Sequence, residues 1–384
     1  MYRFLSTYYT FLCVLSPILV LYSFWGNSIT MTDTFIVFFY ILSLPFIFIK
    51  GIKVVLPYFA IFSYVLFHSA FNLLSSYDRG IFMRAMHTLN YVFLICFYHK
   101  LFFNKDLGER LLRLFALLST LFLIIQQVAI SQFGTYISGN LFPQFAIAEA
   151  NEDLVVVGTN VHRLSSFFAE PATFSMYVIC ALVHELFYSE KKDMRIVGLF
   201  CLGCTLSTST TAIACMAFLM GFYMYTNRLF RDRNTLLLIM ALIAIYSIAT
   251  PHIDAINRRL EEGRSFSGRF HGYSVMYSLV ENPLWGIGFV APKDLEVYLA
   301  GIPRLFVYLG LTGVLVYLLA YINVLFTTKK NILTLVFLFL NIGSDTFFGV
   351  SFLYYSCFMI SSDYYQNREK INYHNHQLQQ RSRT

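Results

Sequence analysis

From residue 4 to residue 363 the chain is a succession of apolar stretches separated by short connections that carry lysine and arginine. A run of about 20 apolar residues makes a helix long enough to cross the hydrocarbon core of a bilayer. A chain with many such runs has one comfortable solvent, because 57% of its 384 residues are hydrophobic and only 13% are charged. A soluble domain so composed lacks the polar residues to cover its surface. The pattern predicts an all-α, polytopic integral membrane protein with about 12 transmembrane helices. They are expected near residues 4–25, 33–50, 53–74, 81–103, 110–131, 172–189, 195–206, 208–226, 235–250, 304–326, 332–347 and 349–363. Residues 1–365 form one transmembrane domain, and the polar, basic segment 366–384 is a solvated cytoplasmic tail. The first apolar run exceeds a signal h-region and has no A-x-A-like cleavage site after it, so it is expected to stay as a helix.

Orientation follows from the basic residues, which favour the cytoplasmic side of short loops. With the N-terminus inside, the inner set holds Arg3, Lys50, Lys53, Lys100, Lys105, Arg110, Arg113, Lys191, Lys192, Arg195, Arg228, Arg231, Arg233, Lys329, Lys330 and four residues of the tail. That leaves the short outer loops poor in charge and puts both termini in the cytoplasm. The net charge of +7 is thus accounted for by orientation, and no contiguous basic face points to nucleic acid. All seven cysteines lie in apolar stretches. Cys201 and Cys204, a C-x-x-C without a second pair or a nearby histidine, read as small packing residues.

Two outer segments are long, about 131–170 and 251–303, and in a compact membrane protein such loops carry function. The first ends at Glu170-Pro171, where Pro171 suits the first position of a helix and Glu170 its positive end. It also contains Arg163. The second contains Arg258, Arg259, Arg264 and Arg269 against Asp254, Glu261 and Glu262. Orientation does not call for four outer arginines, so an anionic ligand is a second explanation. The Asn282-Pro283 pair and the glycines at 286 and 288 mark a turn, with Trp285 and Phe289 suited to an interface or a sugar face. Within the spans, Arg84 and His87 share one face of the fourth helix, and His184 and Glu185 lie near the end of the sixth. Intramembrane ionisable residues invite functional readings, but both pairs are close enough to an interface to be assigned to packing or lipid headgroups.

In the order of these elements the chain resembles the O-antigen polymerase and O-antigen ligase family of bacterial inner-membrane glycosyltransferases. The elements are the segment from Arg163 to Pro171 entering a span, Leu206-Ser207-Thr208-Ser209-Thr210-Thr211-Ala212 at a helix turn, Ser267-Gly268-Arg269, the 282–289 turn, and Leu309-Gly310-Leu311-Thr312-Gly313 in a later span. Ligases of the family commonly carry a His-Asn pair before that last span. This chain has Gly301-Ile302-Pro303-Arg304 there, which points to the polymerase. His252 and Gly263 satisfy the His-x10-Gly pattern described for some polymerases, and no arginine has a glycine eleven positions on.

The resemblance implies polyprenyl-pyrophosphate-linked oligosaccharides as substrates, joined at the periplasmic face of the inner membrane with release of lipid pyrophosphate, with the two long loops periplasmic. It implies membrane lipids, a chain-length regulator and a repeat-unit flippase as neighbours, and no cofactor. Metal assistance has no evident ligand cluster in the outer loops, so pyrophosphate contacts fall to Arg163 and Arg269, then Arg264 and Arg304. Candidate proton acceptors are Glu170, His252, His271 and Asp345. The ligase, and a lipid-linked oligosaccharide flippase or transporter, are the competing functions. Arg163→Ala and Arg269→Ala are expected to abolish polymer at unchanged protein level, and wild-type ladders from both on a lipopolysaccharide gel would remove them from the site.

Overall fold

The computed structural model describes residues 1–24, 29–75, 79–147, 154–157, 161–190, 192–227, 266–290 and 298–360; of residues 75, 146–147, 154–157, 161–163 and 266–270 it describes the backbone only. The described chain is overwhelmingly helical. In order come α1 (Tyr2–Leu19), α2 (Met31–Lys50), α3 (Leu56–Ser75), α4 (Arg79–Phe102), α5 (Lys105–Phe133), α6 (Pro171–Val183), α7 (Met194–Leu206), α8 (Thr210–Thr226), α9 (Phe266–Val275), α10 (Gly301–Thr327), α11 (Asn331–Gly343) and α12 (Val350–Met359). A π-helical turn, His184–Tyr188, extends α6. Eleven of the twelve predicted segments coincide with a helix, and the twelfth, 235–250, lies outside the described residues.

The helices start and stop where local chemistry directs them. Thr30 and Asp33 form a reciprocal capping box at the start of α2, satisfying donors that the first turn cannot pair. Asn104 accepts from the Leu107 amide to open α5, and Gly134 closes it in the left-handed conformation. Pro171 occupies the first turn of α6 behind Glu170, as the sequence predicts.

Among the described residues six helices are long and apolar enough to cross a membrane: α2, α3, α4, α5, α6 with its π turn, and α10. Their outward faces are greasy in the manner of lipid-facing helices. Leu114, Leu118, Leu121, Ile125 and Val128 make an exposed stripe on α5, and Leu311, Leu315, Leu318, Leu319, Ile322 and Phe326 one on α10. The spacing of three and four residues keeps each stripe on one side of its helix. The protein is therefore a helical membrane protein.

The all-α class holds, with two small antiparallel pairings beside the helices among the described residues: β1 (Tyr22–Ser23) with β2 (Ala146–Ile147), and β3 (Leu154–Val157) with β4 (Val161–Leu164). The predicted segments 332–347 and 349–363 correspond to shorter helices, α11 and α12, joined by a non-helical connection at 344–349. Ten residues of α12 rise only about 15 Å, half of a hydrocarbon core. All ten are buried, packed among α1, α4, α6 and α11. His184 and Glu185, assigned to packing or headgroups, make charged contacts with neighbouring helices: His184 Nε2 lies 3.0 Å and Lys330 Nζ 3.2 Å from Glu109 Oε1, and Arg113 Nε lies 3.2 Å from Glu185 Oε2.

The last feature of note is a break in α10. Gly310 has φ 68° and ψ −174°, a region open in practice to glycine alone. The turn at 283–288 docks there and takes up the interrupted backbone groups. Leu311 N donates to the Pro283 carbonyl (2.9 Å), Ile287 N to that of Val307 (2.8 Å) and Gly288 N to that of Tyr308 (2.9 Å). The Thr312 hydroxyl donates to the Leu284 carbonyl at 2.7 Å. A methyl at Gly310 would collide with the Leu284 carbonyl. Gly310→Ala is expected to cost about 1–3 kcal/mol in backbone strain alone and to lower the thermal midpoint in detergent by a few °C; an unchanged midpoint would contradict the docked turn.

Candidate functional site

A cavity of about 600 Å³ lies where the first turns of α4, α6 and α10 meet the 344–349 connection. Its chemistry comes from Arg84 and His87 of α4, Glu170, Arg304 and Tyr308 of α10, and Asp345, with Phe289 and Tyr298 completing the wall. Each is held by identifiable local structure.

Glu170 ends a strap, residues 165–170, that is pinned to α5. Ser166 adopts a left-handed φ of 58°, donates its amide to Gln126 Oε1 (3.2 Å) and its hydroxyl to the Ser119 carbonyl (2.7 Å). Gly139 crosses so close to the Ser166 carbonyl that a Cβ there would overlap it. Glu170 stands at the N-cap of α6 but makes no side-chain cap hydrogen bond. Its carboxylate is exposed and lines the cavity.

Asp345 is presented by a turn that Asn341 organises. Asn341 is fully buried, donates to the Phe337 carbonyl (2.8 Å) and accepts from the Thr346 amide (3.1 Å). The start of α10 is tied to the same turn, since Gly301 N donates to the Ser344 carbonyl at 3.0 Å and a Cβ on Gly301 would overlap Asn341 Oδ1. This brings Arg304 Nη1 onto Asp345 Oδ2 in an ion pair whose side chains are both 15% exposed. Arg304 Nε is buried and has no hydrogen-bond partner among the described residues.

Arg84 reaches across to the docked turn, where its Nε donates to the Phe289 carbonyl at 2.7 Å. Tyr308 donates to the next carbonyl, Val290, at 2.8 Å. A guanidinium has five N–H donors, and the bond through Nε is the one Arg84 makes among the described residues. His87 Nδ1 lies 3.1 Å from Asp33 Oδ2. Phe289 is buried against the rings of Tyr308 and Phe348 at 5.4 and 5.6 Å.

Four sequence candidates, Glu170, Asp345, Arg304 and Phe289, thus share one cavity. Arg163 falls on β4 opposite Val155 and Arg269 on α9, while both side chains lie outside the described set. His252 and Arg264 lie outside the described residues altogether. His271 on α9 is exposed and not part of the cavity wall. Trp285, read from the sequence as an interface or sugar contact, is not part of the cavity wall. It packs on α3 between His68, Phe67 and Phe71, with ring centroids 4.8 to 5.9 Å away, and its carbonyl is 2.8 Å from His68 Nε2. Arg84 and His87, assigned to packing or lipid headgroups by the sequence argument, line the cavity, and their spacing of three on one helix was the available signal. Among the described residues no three of His, Cys, Asp and Glu gather as they would around a metal ion.

A second, apolar groove of about 480 Å³ runs between α2, α3 and α4. Val37, Leu66 and Met86 in its wall are exposed on the lipid-facing side, and Asp33, Asn90 and Tyr40 form its polar floor. His87 belongs to both linings. The polar cavity and the greasy groove therefore meet at one residue.

No family model, curated protein or solved structure matches this chain. The functional reading therefore rests on the site.

Removing one partner of a buried ion pair strands the other, at a cost of about 3–5 kcal/mol. Arg304→Gln alone is expected to destabilise the protein by that order. Arg304→Gln with Asp345→Asn is expected to recover most of the thermal midpoint, and failure of the double variant to recover would show that the pair is not the dominant interaction there.

Proposed function

We propose that the protein is a surface-polysaccharide polymerase that joins polyprenyl-pyrophosphate-linked oligosaccharide units and releases lipid pyrophosphate. The supporting observation is the meeting of an arginine-bearing polar cavity with a lipid-facing apolar groove at His87. A substrate with a long apolar chain and a charged, sugar-bearing head has those two requirements, and a water-soluble substrate has only one.

In this reading the chain lies along the α2–α3–α4 groove and the head enters the cavity. Departure of lipid pyrophosphate develops negative charge on its phosphate oxygens. Arg84, whose outer nitrogens have no partner among the described residues, and Arg304, whose Nε has none there, supply charge-assisted donors to it. The formal charges of Arg304 and Asp345 cancel, so recognition of the anion relies on directed hydrogen bonds more than on net field. Tyr298, Tyr308 and Phe289 give the sugar aromatic walls. With the helix ends bearing the cavity facing the periplasm, the basic loops lie in the cytoplasm, as expected for twelve spans in a bacterial inner membrane. A ligase would use the same donor, and a flippase could use the same groove and cavity without any bond being made.

In vesicles holding purified protein and the lipid-linked repeat unit, products are expected to lengthen into a ladder while polyprenyl pyrophosphate accumulates. Arg84→Ala is expected to slow this by about 100-fold, the loss typical of one oxyanion-type donor. Movement of labelled lipid-linked sugar across the membrane with no lengthening would overturn the proposal in favour of a flippase. In cells, loss of the protein should leave lipopolysaccharide core bearing a single repeat unit, whereas bare core would mark the ligase.

A further inference from the structure

We infer that His87 is the catalytic residue that takes the proton from the acceptor hydroxyl, and that Asp33 is the residue that positions it. The inference rests on the glycosyl-transfer reading above and selects one proton acceptor for it.

The geometry is that of an imidazole backed by a fixed carboxylate. His87 Nδ1 is 3.1 Å from Asp33 Oδ2, and a carboxylate there requires the ring proton on Nδ1, which leaves the lone pair on Nε2. Asp33 is itself immobilised. Its Oδ2 accepts from the Thr30 amide (3.2 Å) and hydroxyl (2.7 Å), and its Oδ1 from Asn90 Nδ2 (3.4 Å). Asn90 Oδ1 in turn accepts from the Tyr40 hydroxyl at 3.0 Å. The ring of Tyr91 meets the imidazole edge-on, 4.5 Å away at 70°. A side chain 28% exposed is thereby held in one orientation at the junction of cavity and groove.

The other candidates in the cavity are less suited. Asp345 is engaged by Arg304. Glu170 has an exposed carboxylate, and a hydrated carboxylate is a weaker base at neutral pH than an imidazole. Arg84 sits one turn before His87 on α4, so leaving-group donor and proton acceptor are carried side by side.

The step balances as follows. The acceptor hydroxyl oxygen forms a bond to the anomeric carbon as the bond from that carbon to the pyrophosphate oxygen breaks. The electron pair of the broken bond leaves on lipid pyrophosphate, and the hydroxyl proton moves to His87 Nε2. The imidazolium faces the Asp33 carboxylate until water takes the proton.

The test uses full-length protein in vesicles, measuring lengthening and, separately, retention of the lipid-linked repeat unit. His87→Gln should lower turnover 100-fold or more with retention unchanged, and added imidazole should restore part of the rate to His87→Gly. Asp33→Asn should lower turnover and displace the pH–rate profile, and Asp33→Glu should recover part of both. Charged groups of the same cavity lining that could also shape that profile are Arg84, Glu170, Arg304 and Asp345, so the displacement is compared with that of Glu170→Gln. Full turnover in His87→Gln, or loss of turnover matched by loss of retention, would overturn the assignment while leaving polymerisation by the wild type intact. If wild-type vesicles lengthen nothing, the polymerase reading is lost and this inference with it.

Discussion

Backbone polar groups in an apolar medium must find partners within the protein, and the site depends on how this chain meets that rule at Gly310. The break in α10 frees amides and carbonyls that no lipid can satisfy. The 283–288 turn satisfies them, entering far enough that Gly286 and Gly310 approach backbone to backbone. One wall of the cavity is placed by this docking. The turn delivers the Phe289 carbonyl to Arg84 and the Val290 carbonyl to Tyr308, so α4 and α10 face each other across the cavity through a third segment. On the far side of the turn, Trp285 is gripped by His68 and the rings of α3.

The two ends of α6 show contrasting uses of charge. Beyond its C-terminus, Glu109, His184, Arg113, Glu185 and Lys330 are matched ion pairs joining α5, α6 and α11, with Lys330 Nζ also 4.1 Å above the Tyr188 ring. Burying such groups is costly unless they are paired, and Glu185 and Lys330, the two most buried, each have a partner. At the N-terminal end the matching is incomplete among the described residues, where Arg304 Nε has no partner and Arg84 spends one donor of five. An end with spare hydrogen-bonding capacity can accept a ligand, and a saturated end can only hold helices together.

Apolar run length alone located the helices, because a lipid-facing helix is hydrophobic along its whole length and needs no periodicity to reveal it. The same property hid the ends of α11 and α12. Thr346, Phe347 and Phe348 continue the apolar run, yet they form a connection that protein, and not lipid, surrounds. The β3–β4 hairpin was missed because four-residue strands within a polar loop carry too little pattern to register. Glu170, Asp345 and Arg304 were legible as polar residues near helix ends. That they converge was not, since it depends on Asn341 and Gly301 packing turn against turn. For Arg84 and His87 the sequence gives depth along a helix but not which way the face looks, and the partner that decides the matter, Asp33, is fifty-four residues upstream.

The length of α5 has a mechanical consequence. Its 29 residues rise about 43 Å, well beyond a hydrocarbon core of about 30 Å. The helix must lean or stand proud of the bilayer, and mismatch of this kind is taken up by tilt at small cost. Ser119 and Gln126, in its second half, are the two points to which the strap carrying Glu170 is fastened. Any lean of α5 is thus transmitted to the rim of the cavity, and the thickness of the surrounding membrane becomes one of the dimensions of the site.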